Sequence, residues 1–451
     1  MTSPAASHAA VYPAMSHPST DPAVTAAAAL LGGLETRHPS GARILEIGCG
    51  SGLNLLALAA RWPGSRFTGI DLSAEAIGLG DSLAGAAGLR NITFLTKDLR
   101  DLSEACGEYD YIIAHGVFSW VPDDAKLALL ERCRKLLAPD GVAVISFNVE
   151  TGWRARFPVI EKARAIHQAG GVSVMDALEV LKSVTESGSP ELAIIDDMLA
   201  KGEAVLGFDD FAAVNDPWPL DRFVAAAGDA GLRWLGESDP SMNLPRGLDE
   251  ASFHRLSTES PDPLSFHMAV DEFCSRTFRS GLLCRTDAPV GEKFSLECVM
   301  GLNVRCVGEP ADQEDLGIYG LLTSGNLPVC APMREVKLAV KGYPPADLAR
   351  RVFDGIYQGW LRPRVEPVSF DPEPPEFPKL TPLRLECARR RIPVVDVWHQ
   401  PCSFAERHFE VLVAMDGTRD LKALAVFAKQ RCPELAFEPW LRHLAGRGMF
   451  A

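Results

Sequence analysis

Short apolar runs and longer amphipathic segments follow one another in a regular order along the first 150 residues. Ile44, Leu45 and Ile47 form a run that is too short for a helix and rich in branched side chains, which is typical of a buried strand. Similar runs, separated by segments of helical period, occupy residues 66–70, 91–95, 109–114 and 142–147. Five strand–helix repeats predict an α/β fold with a doubly wound parallel sheet and right-handed crossovers.

Beyond residue 150 the pattern changes and then returns. Residues 154–216 are helical throughout, with glycine-containing breaks, and we interpret them as a helical insertion or lid. The sheet then resumes, because a sixth strand is predicted at residues 232–235 and a seventh at residues 281–284. A helix over residues 264–277 is predicted between these two strands.

The last third of the chain is divided by prolines. Residues 291–375 mix short strands with helical pieces, which predicts a smaller α+β domain. Prolines crowd residues 362–382, and this composition is typical of a linker. In residues 376–451 we predict a strand at residues 393–398 and three helices, an order compatible with a small winged-helix-like domain. The helices are expected near residues 405–415, 421–429 and 438–444.

A glycine-rich turn follows the first strand directly. Gly48, Gly50 and Gly52 stand at alternate positions, and Glu46 lies two residues before the first of them. Glycines let the backbone approach a ligand, and a helix N-terminus offers free N–H groups, so this arrangement suits a nucleotide-like ligand. A dinucleotide turn would need glycine where Leu53 stands, which argues against NAD.

The glycine turn resembles motif I of the class I S-adenosylmethionine (SAM) methyltransferases. Together with two further segments it resembles the bacterial methyltransferases that carry a methyltransferase regulatory domain, a group that includes protein-lysine methyltransferases acting on outer-membrane proteins. The segments that carry this likeness are residues 45–50, 69–73 and 111–122. Later segments are similar to the regulatory domain and to the C-terminal module of the same group, namely residues 215–233, 276–284, 398–401 and 415–420.

This resemblance implies a Rossmann-like seven-stranded methyltransferase sheet with a helical insertion at about 154–216. The SAM-binding domain is then expected to cover residues 1–290, with a regulatory-domain-like segment at about 215–290. Two smaller α+β C-terminal domains follow in residues 291–375 and 376–451. The loop after the fifth strand departs from the family, because this chain has Val149, Glu150 and Thr151 where members often have Thr and Pro.

The resemblance implies SAM as cofactor. Asp71 ends the second strand, where a carboxylate can accept hydrogen bonds from both ribose hydroxyls, although it also stands where it would cap the next helix. In the family an acid at the position of Asp98 faces the adenine amino group and an apolar neighbour, here Leu99, lies against the ring. We favour this role for Asp98, although it could instead be a surface loop acid. The expected cofactor-binding residues are Glu46, Gly48, Cys49, Gly50, Gly52, Asn54, Asp71, Leu72, Asp98, Leu99, His115, Gly116 and Trp120.

Candidate catalytic residues follow the fourth and fifth strands. His115, Asn148 and Glu150 are the polar groups expected near the transferring methyl, because ligands bind beyond the carboxyl ends of parallel strands. His115 could instead be a hydrogen-bonded structural residue. Trp120 and Trp153 would shape an aromatic channel, and Tyr12, in the N-terminal arm, is either a lid over the cofactor or part of an irregular terminus.

Composition narrows the cellular setting. The formal net charge of -14 argues against nucleic acid as the main substrate and suits a lysine-bearing partner. Eleven cysteines without a C-x-x-C pair suit free thiols in a reducing cytosol, with no metal-ligand cluster and no disulfide framework. No apolar run approaches the length of a membrane span, and the N-terminal residues have no positive cluster before an apolar core, as a secretory signal would. We therefore expect a cytoplasmic protein. A homodimer is left open.

Three functions fit these observations. The favoured one is an enzyme that methylates another protein, at lysine. The second is a methyltransferase for a small molecule or peptide, which would use the same cofactor pocket under a different lid. The third is a SAM-binding regulatory protein without turnover, because cofactor-binding residues do not establish catalysis and fold-level likeness does not identify the acceptor.

Overall fold

A seven-stranded sheet forms the centre of the computed structural model, which describes residues 12–103, 107–245, 248–291, 295–340 and 343–451. Its spatial order is β3-β2-β1-β4-β5-β7-β6, and the first five strands are parallel, whereas β7 runs antiparallel to both β5 and β6. The predicted methyltransferase-type sheet is therefore confirmed. Its strands are β1 (Arg43–Ile47), β2 (Arg66–Asp71), β3 (Ile92–Thr96), β4 (Tyr109–Ala114), β5 (Leu137–Asn148), β6 (Leu232–Glu237) and β7 (Phe278–Arg285).

Helices cover both faces of this sheet, so its central strands are buried on both sides. Ile44 and Leu45, neighbours in β1, belong to apolar cores on opposite faces. This explains why the strands read as continuous apolar runs and not as alternating patterns. The helices of this part are α1 (Pro22–Leu31), α2 (Leu53–Arg61), α3 (Ala74–Ala86) and α4 (Asp123–Leu136).

Pro139, Asp140 and Gly141 together predict a turn before the fifth strand, and this prediction is wrong. These residues lie inside β5, which already begins at Leu137. Tyr109 pairs with Leu137 and Tyr111 pairs with Val142, so residues 138–141 stand opposite the single residue Asp110. Proline and glycine therefore form a bulge within the strand, a position in which a missing ladder hydrogen bond costs little.

The helical insertion begins earlier than the sequence indicated. Helix α5 starts at Glu150, directly after β5, whereas a loop was expected as far as Trp153. The first helices of the insertion pack around their own apolar core, which includes Trp153, Leu178 and Ile195. The helices between β5 and β7 are α5 (Glu150–Gly170), α6 (Val174–Val184), α7 (Pro190–Lys201), α8 (Glu203–Phe208), α9 (Leu220–Asp229), α10 (Glu250–Glu259) and α11 (Pro263–Cys274).

The remaining chain builds two smaller groups of elements. A three-stranded sheet joins β8 (Asn303–Cys306), β9 (Ala331–Pro332) and β10 (Leu361–Arg364) with α12 (Leu296–Met300), α13 (Leu316–Thr323), α14 (Met333–Ala339) and α15 (Pro345–Gln358). A hairpin of β11 (Val394–Val395) and β12 (Pro401–Cys402) accompanies α16 (Pro382–Arg390), α17 (Glu406–Val413), α18 (Leu421–Arg431) and α19 (Phe437–Gly446).

The C-terminal elements share a core with the large sheet. Leu383 and Cys387 of α16 lie in the same apolar cluster as Leu55 and Phe67. The Arg390 guanidinium donates to the backbone oxygen of Ser82, at 3.2 Å, on α3. The proposed domain limits remain predictions. Among the described residues, no helix is both long and apolar enough to cross a bilayer.

Candidate cofactor and methyl-transfer site

The glycine turn is fixed to the end of the neighbouring strand. The N–H groups of Gly48 and Cys49 both donate to the backbone oxygen of Ile70, at 2.8 and 3.0 Å. The Gly50 N–H donates to Asp71 Oδ2 at 2.8 Å. The turn and the acid that ends β2 therefore form one rigid unit at the carboxyl edge of the sheet.

The three glycines of the turn have different roles. A Cβ on Gly48 would lie 2.4 Å from Val117 Cγ2, and one on Gly52 would lie 2.3 Å from the Phe94 ring, so internal packing demands glycine at both positions. At Gly50, where φ is +54°, a Cβ would meet no described atom within 4 Å. Gly50 is thus the position at which open space, and not the protein's own packing, adjoins the backbone.

Asp71 binds the glycine turn, and a different residue, Ser73, caps α3. Its Oδ1 accepts the N–H of Ser73 at 2.8 Å, while the Ser73 hydroxyl caps α3 by accepting the N–H of Ala76 at 3.2 Å. Each carboxylate oxygen accepts one backbone N–H and retains capacity for a second donor. This geometry suits the predicted ribose contact, which remains a prediction.

Replacing Asp71 with Ala should weaken SAM binding by about 1–3 kcal/mol, because the turn loses its anchor and the ribose loses its acceptor. Ser73→Ala is the matched control, since it removes the cap of α3 and should cost stability of about 1 kcal/mol without changing SAM affinity. Titration calorimetry on both folded variants measures the difference. An unchanged SAM affinity in Asp71→Ala would remove Asp71 from the site.

Glu46 is buried behind the turn with one oxygen unengaged. Only 3% of the residue is exposed, and Oε1 accepts the Asn54 side-chain N–H at 2.8 Å. Oε2 has no hydrogen-bond partner within the described part of the chain. Burial, with a smaller contribution from Asp71, raises the pKa of Glu46 to about 8, although the Asn54 hydrogen bond opposes this. A cationic ligand group would favour the ionised form.

The residues expected to contact adenine differ in how accessible their side chains are. Asp98 accepts the backbone N–H of Arg100 at 2.8 Å and forms an ion pair with the Arg100 side chain at 2.6 Å, which lowers the pKa of Asp98. This pairing engages Asp98 with its own neighbour. Leu99 is buried in the core, whereas Leu72, beside Asp71, is 53% exposed, so its apolar side chain is accessible to a planar ligand group. The adenine roles remain predictions.

His115 lies just after β4 against a second histidine that the sequence had not singled out. The rings of His115 and His17 lie 3.9 Å apart, and Phe278 contacts His115 edge-on at 5.6 Å. Burial lowers the pKa of His17 to about 4, and burial with the nearby His17 lowers the pKa of His115 well below its usual range. Both rings are therefore neutral at pH 7, so His115 is a weak base.

Other candidates meet at the same edge of the sheet. Gly116 donates its N–H to Ser146 Oγ at 2.8 Å, and the Asn148 side chain donates to Asn215 Oδ1 at 2.9 Å. The Trp120 ring lies edge-on to Trp153, with centroids 6.4 Å apart.

The two remaining candidates are Tyr12, in the N-terminal arm, and Glu150. The ring of Tyr12 contacts Phe208 of α8 edge-on, at 5.2 Å, so the N-terminal arm reaches the helical insertion. Glu150 lies in the first turn of α5 and forms an ion pair with Arg154 at 3.7 Å, where its side chain is 47% exposed. Its contacts face the outside of α5, whereas the histidine pair is buried. Catalytic use of Glu150 remains a prediction.

Family models match two segments of the chain. Residues 44–141 match the model described as "Methyltransferase domain", and residues 202–285 match the model described as "Predicted methyltransferase regulatory domain". The chain carries a SAM-dependent methyltransferase domain followed by a methyltransferase regulatory domain. The resemblance inferred from the sequence is therefore confirmed, and SAM is the cofactor of this methyltransferase domain.

Sequence relatives cover parts of this methyltransferase chain. Protein RP028 of Rickettsia prowazekii is 37% identical over 150 residues, which is 33% of this chain and 60% of its own length. Protein RP789 of the same organism is 27% identical over 297 residues, which is 63% of this chain and 53% of its own length. The chain thus spans about half to three fifths of these relatives. A trans-aconitate 2-methyltransferase of Deinococcus radiodurans is 33% identical over 104 residues, 23% of this chain and 37% of its own.

Nearly the whole fold is matched by a solved structure. PKMT2 from Rickettsia typhi in complex with AdoHcy aligns with a TM-score of 0.80 and 20% identity over 96% of each chain. At that identity the likeness shows the fold, including the parts that follow the cofactor-binding half.

The residues at the glycine turn fit the cofactor that this domain uses. Bound SAM supplies a methyl group that is already activated by a sulfonium, so the protein needs no covalent intermediate. Gly50 offers open space, Asp71 offers acceptors, and Glu46 offers an unengaged carboxylate oxygen for a cationic group. The protein's tasks are to hold the cofactor, align the acceptor and exclude water.

Proposed function

We propose that this methyltransferase transfers the methyl group of SAM to lysine side chains of other proteins. The observation that carries the proposal is the fold likeness to PKMT2, a protein lysine methyltransferase, over 96% of both chains. The relative named for a small acceptor aligns over only 23% of this chain. An acceptor is chosen by parts of the chain outside the cofactor turn, and the PKMT2 likeness covers those parts as well as the turn.

The surroundings of His115 suit an amine acceptor. A lysine attacks only when neutral, and a buried apolar setting lowers a lysine pKa and so favours the neutral form. Phe278 and His17 contact the His115 ring, and Trp120 follows the same strand in sequence. Because the two histidines are neutral and weakly basic, His115 would orient the lysine amine by a hydrogen bond. The lysine ammonium would lose its proton to water before the side chain enters the site.

Charge and aromatic content support the same acceptor class. The net charge of -14 attracts lysine-bearing surfaces weakly and in a salt-dependent manner. The ring of Trp120, which is only partly buried, would add a cation–π attraction for an approaching ammonium. Neither term identifies a particular partner protein.

Incubation of the purified chain with methyl-labelled SAM and a bacterial lysate should place label in protein, and acid hydrolysis should release it as methylated lysine. A lysate whose lysines have been blocked by reductive alkylation should lose that label. Asp71→Ala serves as the low-binding control. Label in small metabolites alone would support the alternative, a small-molecule or peptide methyltransferase. Label in protein on residues other than lysine would also contradict the proposal, and no transfer at all would favour a SAM-binding regulatory protein.

A further inference from the structure

A tight hairpin in the C-terminal region presents one histidine to the cofactor site. In the loop between β11 and β12, Asp396 Oδ1 accepts the N–H groups of Trp398 and Gln400, both at 2.8 Å. His399 adopts a φ of +63°, which is uncommon for residues other than glycine, and Ser16 Oγ donates to its backbone oxygen at 3.0 Å. An uncommon backbone conformation that several hydrogen bonds fix is often found at functional positions, so the contacts of the His399 side chain indicate its role.

The His399 side chain reaches α2, directly after the glycine turn. His399 Nε2 lies 2.7 Å from Asn54 Oδ1, although 345 residues separate the two in sequence, and both residues are buried. Burial lowers the pKa of His399 to about 3, so the ring is neutral at pH 7. The contact is therefore an ordinary hydrogen bond and not an ion pair.

The direction of the Asn54 amide is fixed by a backbone group. The His17 N–H, which can only donate, lies 2.9 Å from the same Oδ1. That atom must be the oxygen, so His399 donates to it from Nε2 and the amide NH₂ faces the other way. On that side Asn54 Nδ2 donates to Glu46 Oε1 at 2.8 Å.

We propose that His399 is a positioning residue for the cofactor: through Asn54 it holds Glu46 so that the second carboxylate oxygen faces the ammonium group of SAM. The C-terminal hairpin thereby completes a cofactor site whose Asn54 lies 345 residues earlier in the chain. This inference concerns cofactor binding, so it holds whichever acceptor the enzyme uses. It also gives the C-terminal region a role in the site itself.

His399→Phe tests the proposal, because phenylalanine keeps the ring and its packing but removes the donor. We expect the SAM dissociation constant to rise about tenfold, the effect of losing one buried hydrogen bond. His399→Gln, which restores a donor, should recover part of the affinity. His408→Phe in α17, which lies in the same C-terminal region, is the control and should bind SAM as the wild type does.

A double-mutant cycle separates positioning from general structural support. If His399 acts through Glu46, His399→Phe should change SAM affinity little once Glu46→Gln is present, whereas a merely structural role predicts additive losses. Additive losses, or an unchanged SAM affinity in His399→Phe, would overturn the proposal. Should His399→Phe fail to fold, His399→Asn replaces it, because asparagine tolerates the positive φ but is too short to reach Asn54. Wild-type affinity in that variant would equally overturn it.

Discussion

Gly50→Val is expected to fold and to lose SAM binding. A Cβ at this position would meet no described atom within 4 Å, so the protein's own packing does not oppose the first atom of the new side chain. A branched side chain there occupies the space that the cofactor needs, and overpacking of about 1–3 kcal/mol corresponds to an affinity loss of roughly 5–150-fold. Titration calorimetry measures the affinity, and circular dichroism checks the fold.

Gly52→Val is the matched control, because the same change two residues later collides with the Phe94 ring 2.3 Å from the new Cβ. Both variants bear the strain of a positive φ, so the strain common to both is controlled for. We expect Gly52→Val to lose its fold. If Gly50→Val proves too strained to fold, Gly50→Ala is measured in its place. A folded Gly50 variant with wild-type affinity would mean that the cofactor lies elsewhere.

Arg279→Met is expected to lower the free energy of unfolding by about 3–5 kcal/mol. Arg279 lies in β7 with no exposed surface, donates twice to Asp271 at 2.7 and 2.9 Å, and donates to Glu237 of β6. The substitution would leave the Glu237 carboxylate, itself fully buried, without its cation. Asp271 would keep only Arg276. Urea denaturation measures the loss.

Arg285→Met provides the comparison on the same strand. Its ion pair partner Asp287 is 55% exposed, so the expected loss is below about 1 kcal/mol. Equal and small losses in both variants would show that the buried network contributes no more than a surface pair. Because Arg279 pairs in register with Phe147, next to Asn148, we also expect the folded fraction of Arg279→Met to show heat-sensitive methyl transfer.

Local patterns explain why the cofactor half was predictable. β1, the glycine turn and α2 follow one another within 20 residues, and the hydrogen bond from Gly50 to Asp71 spans only 21 residues. Each feature depends on strand length, helix period or the freedom of glycine, all of which neighbouring residues determine. The same local reasoning failed at residues 139–141, because a bulge within β5 uses the residues that would otherwise mark a turn.

The sequence by itself determined the sheet, its glycine turn and the acid at the end of β2, because these follow from the order of nearby residues. Only the tertiary structure decided which distant groups complete the site. No periodic pattern in the sequence indicates these long-range contacts. They are the contact between the His17 and His115 rings, the hydrogen bonds from His399 through Asn54 to Glu46, and the pairing of Arg279 with two acids. Each arises where elements separated in sequence are packed together, and packing, burial and orientation depend on the whole fold.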